Sequence, residues 1–86
     1  MFTLTEVQSQ AITARMAIIV GAKTFDRLFI GVEFAEVEGD VLFVSALTEE
    51  QAAEIEDNYS LHLMIIATDI LKHDIGIVMV LPRVLH

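Results

Sequence analysis

Apolar residues recur at helical spacing between Leu47 and Leu71, which predicts one long helix in the second half of the chain. Spacings of three, four and seven residues keep side chains within one arc, since each residue turns the helix by about 100°. Thr48 and Gln51 are spaced as a capping box, in which the hydroxyl accepts the amide of the third helical residue and the Gln side chain bonds back to the cap amide. The helix is therefore expected to begin directly after Thr48. Its predicted core-facing stripe is Ala52, Ile55, Tyr59, Ile66 and Ile70.

The opposite arc of this helix changes from acidic to apolar along its length. We interpret its first half as a candidate acidic face for a partner, formed by Glu49, Glu50, Glu54 and Asp57. We interpret its second half as a candidate oligomer interface, formed by Leu61, Met64, Ile65, Thr68 and Leu71. Simpler alternatives stay open for both surfaces. The acidic residues could simply be a solvated helix face, and those in the first turn also stabilise the helix start through its dipole. The last strand or the first helix could cover the apolar patch.

Two shorter helices are predicted before the long one. Thr5 and Gln8 form a second capping box, which opens a helix of about 15 residues that ends at Gly21. Thr24 is expected to cap a short helical segment farther along. The apolar stripe predicted for the first helix is Val7, Ala11, Ala14, Ile18 and the pair Ile19–Val20. The large side chains predicted to lie on one side of the second, in the core, are Phe25, Leu28 and Phe29.

Alternating and β-branched runs predict strands at residues 30–38, Val41–Ala46 and Ile75–Leu81. The alternation slips by one near Ala35, which indicates a β-bulge. Gly39 and Asp40 form a two-residue turn between the first two strands, and Pro82 ends the last. The chain is therefore predicted to be one α+β domain over residues 1–86, with the order α-α-β-β-α-β and a three-stranded sheet packed against helices.

The composition favours a small cytoplasmic domain that self-associates. Ala, Val, Ile, Leu, Met, Phe, Trp, Cys and Gly together make up roughly 58% of the 86 residues, above the roughly 45–50% that these residues make up in typical domains. A core of this size alone gives modest stability. We therefore expect a homo-oligomer, most simply a homodimer. The chain contains no Cys, which suits a reducing compartment. The longest uncharged run, Asn58 to Thr68, is far shorter than the roughly 20 residues that cross a bilayer, so no membrane contact is expected.

The negative charge is concentrated in the middle of the chain. The formal net charge is −8, and no Lys or Arg occurs between Leu28 and Leu71. Binding a phosphate backbone requires Lys and Arg to displace counterions, so nucleic acid is a poor partner for this segment. A basic protein surface is the more suitable partner.

Histidine is the residue type in this chain that could transfer protons near neutral pH, and its positions are His62, His73 and His86. We interpret His62 as a structural residue at the edge of the core stripe. His73 lies near Asp74 and Asp69, but adjacent loop positions do not give the fixed geometry of zinc ligands. We therefore expect no catalytic, cofactor-binding or metal-binding residues, and no enzyme activity.

Three segments carry a resemblance to a known family: the run Thr24–Ile30, the strand Asp40–Ala46, and the capped helix as far as Tyr59. Together they resemble the N-terminal domain of the bacterial replication initiator DnaA, and they align without a gap from Asp40 to Tyr59. The resemblance implies a KH-like fold and an interaction hub. In that family the domain self-associates, contacts the replicative helicase, receives regulators and binds single-stranded DNA weakly.

This sequence differs from that family at one position just before the helix cap and at three positions within the helix. Leu47 stands where the family has a Pro, Glu50 where it has a Phe, Glu54 where it has a Trp, and Asn58 where it has a basic residue. The resemblance with these differences implies that the fold is kept and the partners are changed, with no direct nucleic-acid binding expected.

Three functional hypotheses follow from the sequence. The first is a non-enzymatic protein-interaction module that modulates replication initiation through an initiator or a regulator. The second is a purely structural homodimeric domain with no replication role. The third is acidic mimicry of nucleic acid, in which the acidic belt occupies a basic DNA-binding surface of a partner.

Overall fold

The computed structural model describes residues 1–83, which form three helices and four strands. The elements are β1 (Phe2–Thr3), α1 (Glu6–Val20), α2 (Ala22–Leu28), β2 (Glu33–Glu38), β3 (Val41–Ala46), α3 (Glu49–Leu71) and β4 (Ile77–Pro82). The predicted α+β class is confirmed. The predicted three-stranded sheet is wrong, because β1 precedes the first helix and adds a fourth strand. A two-residue strand is too short to show an alternating pattern.

The sheet has the strand order β1-β2-β3-β4. β2 pairs antiparallel with both β1 and β3, and β4 pairs parallel with β3. Parallel neighbours need a long crossover between them, and α3 is that crossover. The β2–β3 hairpin closes through Gly39 and Asp40, with Gly39 at φ +61° and Glu38 paired with Val41. This confirms the predicted two-residue turn.

The bulge predicted near Ala35 is confirmed, since the register of β2 against β3 shifts between Phe34 and Glu36. The extra residue lets Phe34 and Val37, three positions apart, both face the core. In an unbroken strand this odd spacing would point them to opposite faces. The carbonyl of Ala35 also accepts the amide of Leu4 at 3.0 Å. The bulge therefore anchors the segment that joins β1 to α1.

The three helices share one hydrophobic core on one face of the sheet. From α3 the buried residues are Ala52, Ile55, Leu63, Ile66 and Ala67. The predicted stripe is confirmed at three of these, and its two further members, Tyr59 and Ile70, pack half-buried at the edge of the core. The prediction omits Leu63 and Ala67, which are both fully buried. The contact arc of α3 is therefore wider than the sequence spacing indicates.

The stripe predicted for α1 is wrong for most of its members. Val7 and Ile18 are 75% and 84% exposed, whereas Ile12 and Met16, which it omits, are fully buried. Of its other members, Ala14 and Ile19 are exposed, Ala11 is half-buried, and Val20 packs half-buried against the core. Apolar residues occur around the whole circumference of α1, so periodicity alone cannot select the buried arc. Packing against the rest of the fold selects it.

The helix starts agree only in part with the predicted caps. The Thr5–Gln8 capping box and the stop at Gly21 are confirmed. Thr48 also caps α3 as predicted, by accepting the amide of Gln51 at 3.1 Å. The Gln51 side chain, however, does not complete the box. Thr24 lies inside α2, which begins directly after Gly21, so its predicted capping role is wrong.

Gln51 instead joins three segments of the chain. Its Oε1 accepts the amide of Leu47 at 2.6 Å. Its Nε2 donates to the carbonyl of Leu28 at 2.6 Å and to that of Ile30 at 3.1 Å. One side chain therefore holds the start of α3 against the end of α2.

Leu63→Ala should lower the free energy of unfolding by about 2–5 kcal/mol, because it removes a fully buried side chain and leaves a cavity. Leu61, two residues earlier on the exposed side of α3, is the matched control. Leu61→Ala should change the same quantity by less than about 0.5 kcal/mol. Urea denaturation of both variants at low protein concentration measures the difference, and equal effects would contradict the orientation of α3.

Candidate functional site

No helix or strand of residues 1–83 covers the face of the sheet opposite the helices, and we call it the outer sheet face. Along β3 and β4 the side chains alternate between buried positions and positions that are half-buried or exposed. The outer sheet face consists of Glu33, Glu36 and Glu38 on β2, Val41, Phe43 and Ser45 on β3, and Ile77, Met79 and Leu81 on β4. It is an apolar area with acidic residues along one side.

Arg83 lies at one end of the outer sheet face, where its side chain contacts three other residues. Its guanidinium donates to Ser45 Oγ at 3.0 Å and to the carbonyl of Gly31 at 2.9 Å. It also forms an ion pair with Glu33 at 2.9 Å. The charge of this one glutamate is therefore balanced within the fold.

Two features reduce the number of unpaired backbone amides at the free edge of β4. The amide of Ile77 points toward β3, where it bonds the carbonyl of Asp40 at 3.2 Å. Since successive amides alternate sides along a strand, the amides of even-numbered positions point to the free edge. There Glu56 of α3 accepts the amide of Val80 at 3.3 Å, and Pro82 has no amide to offer. An added strand would find few donors at this edge.

The candidate oligomer interface lies partly on the surface. Leu61 and Ile65 are each 63% exposed, whereas Met64 and Leu71 are half-buried against the core. Thr68 Oγ1 accepts the amide of Ile75 at 3.1 Å, so this hydroxyl also holds the loop after α3. A shallow groove of about 360 Å³ runs beside the patch, lined by Met64, Ile65, Thr68, Asp69 and Ile75.

The candidate acidic face is less uniform than its sequence indicates. Glu49, Glu50 and Asp57 are exposed. Glu54 accepts two hydrogen bonds from Arg27, at 3.0 and 2.6 Å, in a bidentate ion pair. The hydrogen bond from Arg27 lowers the pKa of Glu54, and the same bond raises the pKa of Arg27. Glu54 therefore serves the contact between α2 and α3.

The histidines are dispersed. His62 is exposed and its ring lies 6.0 Å from that of Tyr59. His73 Nε2 donates to the carbonyl of Gly39 at 2.6 Å, and its ring meets the edge of Phe2. His86 lies outside the described residues. Within residues 1–83, no three acidic or histidine side chains are grouped as metal ligands, and no helix in that range is long and apolar enough to cross a membrane.

The sequence pattern does not predict the outer sheet face. The run Ile77–Leu81 is entirely apolar, which is typical of a strand buried on both faces. The available signal lies in β2, where three glutamates mark one side as solvent-facing. Because β4 lies two strands away in the same sheet, its odd-numbered side chains share that open side.

No protein-family model, curated protein or solved structure matches this chain. The resemblance to the DnaA N-terminal domain therefore stays a prediction.

The Arg27–Glu54 pair should make stability depend on pH. Because pairing lowers the pKa of Glu54 below its unfolded-chain value, the pair stabilises the fold above that value, and this contribution is lost as pH falls through the folded-state pKa. Glu54→Gln should therefore lose less stability than the native chain between about pH 7 and about pH 3. Thermal unfolding across this range measures the effect. Asp57→Asn, on the same helix, is the control and should keep the native profile.

Proposed function

We propose that this chain is a non-enzymatic protein-interaction domain of KH-like architecture, similar to the N-terminal domain of DnaA. It modulates DNA replication initiation in the cytoplasm by binding an initiator or one of its regulators. The order of elements from α1 to β4 supports this architecture, since it follows the α-α-β-β-α-β arrangement of that family. The packing of Tyr59 against Phe29, with ring centroids 5.7 Å apart, supports it further, because Tyr59 occupies the family's helical tyrosine position.

The single observation that carries the interaction role is the outer sheet face. Ile77, Met79 and Leu81 are 49%, 40% and 49% exposed in one row along β4. Contiguous apolar surface beside polar residues is typical of protein-binding sites. None of the three side chains belongs to the hydrophobic core or packs against it.

The native domain should capture the replication initiator or one of its regulators from an extract of its own cells, as measured by quantitative mass spectrometry. Met79→Asp should abolish this capture, because it places a charge in the middle of the apolar area. Val7→Asp adds the same charge to the exposed side of α1 and should leave capture intact. Circular dichroism verifies that both variants are folded. Absence of every replication factor from the native capture would refute the replication role.

A second candidate function is homodimerisation through the candidate oligomer interface. The observation that favours it is the exposure of Leu61 and Ile65, one helical turn apart and beside an apolar groove. A two-fold axis near this turn would bring the same side chains of two copies together. Acidic mimicry of nucleic acid has less support, because Glu33 and Glu54 are already paired with arginines.

If this second function holds, the native chain should be a dimer by light scattering at high protein concentration, and Leu61→Asp should make it a monomer. The substitution would bury two negatively charged Asp side chains, one from each copy, in the same interface. Ala53→Asp, at an exposed position of the same helix, should leave the dimer unchanged. A native chain that is monomeric at every concentration would exclude this interface.

A further inference from the structure

Charge and apolar surface are arranged in rows across the outer sheet face. The strand register places Glu38 beside Val41 and Val41 beside Ile77. The next row contains Glu36, Phe43 and Met79 in the same order. From β2 to β4, each row therefore consists of an acid followed by two apolar side chains. The acids form one straight margin of an apolar strip.

Neither glutamate of these rows forms an ion pair within residues 1–83. Arg83 is paired with Glu33 at the end of the face, and Arg15 and Arg27 bond acids of α3. Glu36 is half-buried and Glu38 exposed. The open side of the sheet therefore presents negative charge that the fold itself does not balance.

We infer that the outer sheet face is the docking site for a basic amphipathic helix of a partner protein. The apolar stripe of that helix covers the β3 and β4 columns, and its Lys or Arg residues meet Glu36 and Glu38. This inference deepens the proposed interaction function and rests on it, because it names the chemistry of the partner.

The dimensions of the strip fit one helix. From Ile77 to Leu81 four residue steps of about 3.3 Å give a length of about 13 Å. A helix rises about 1.5 Å per residue, so about nine residues, or two and a half turns, cover this length. Three adjacent strands at about 4.8 Å span about 10 Å, which is close to the diameter of a helix with its side chains.

Two other occupants fit this surface less well. A strand added to β4 would need amide donors at the free edge, where Glu56 already accepts the amide of Val80 and Pro82 has no amide. A second copy of the chain would bring its own acidic margin. A two-fold axis between the faces would set those glutamates against the same glutamates or against the apolar columns, and either contact is unfavourable.

The test uses designed peptides of about 14 residues that are stapled as helices. The first has a Leu stripe with Lys along one flank. The second has the same stripe with Glu on that flank, and the third has the Lys flank with Ser replacing Leu. Fluorescence anisotropy should show binding of the first peptide and at least about tenfold weaker binding of the other two, because each of these lacks one of the two required features.

Charge reversal on the protein locates the site. Glu36→Lys/Glu38→Lys should weaken binding of the first peptide by about tenfold or more, since two attractive contacts become repulsive. Glu50→Lys/Asp57→Lys changes the net charge equally on α3 and should leave binding within about twofold of the native value. A larger loss in the α3 variant than in the β2 variant would overturn the inference.

Further outcomes overturn the inference in different ways. Equal binding of the Lys and Glu peptides would mean that charge plays no part. A concentration-dependent dimer of the native chain that Met79→Asp abolishes would assign the face to a second copy. Protection of the Val78 amide from hydrogen exchange by the bound peptide would indicate strand addition at the edge. Since these peptides contain no replication protein, their binding can succeed even if capture of an initiator fails, which separates the two proposals.

Discussion

The structure depends on one constraint, which is that a single layer of helices covers a four-stranded sheet. The parallel pairing of β3 and β4 requires a crossover, and α3 makes it over the same face that α1 and α2 cover. Ile55 and Leu63 of this helix are buried against the inner sheet face. Their packing determines which side of each strand is buried. No element of residues 1–83 remains for the other side. The open apolar surface of β3 and β4 is thus a direct result of how the crossover is packed.

The start of α3 holds this arrangement in place through polar contacts at its margin. Gln51 bonds Leu28 at the end of α2 and Ile30 in the loop that follows it. The Arg27–Glu54 pair also joins α2 to α3. The rings of Phe25 and Phe29 stack on each other at the end of α2, with centroids 5.9 Å apart. Because the Gln51–Leu28 bond and the Arg27–Glu54 pair both join α2 to α3, the short helix is positioned by side chains of the long one and not by its own length.

The parts of the fold that could be predicted from the sequence are those fixed by local chemistry. The Thr5 cap, the Ala35 bulge and the Gly39 turn each rest on residues within a few positions, and all three are confirmed. The buried arc of α1 could not be predicted, since a helix apolar on every side is oriented only by its tertiary neighbours. The bonds from the Gln51 side chain to Leu28 and Ile30 could not be predicted either, because these partners lie more than 20 residues away in the sequence. The open side of β4 depends likewise on the strand order.

The same constraint creates a hazard that the fold itself limits. A sheet with an open apolar face and a free edge tends to associate edge to edge. Here Glu56 and Pro82 remove donors from that edge, and Glu36 and Glu38 border the apolar face with charges of one sign. In a chain of net charge −8, copies also repel one another over longer distances. Like molecules are therefore disfavoured at this face. The partner that we propose, with positive charge beside its apolar stripe, would relieve the repulsion and bury the strip. In this proposal the residues that protect the surface from self-association also select the partner.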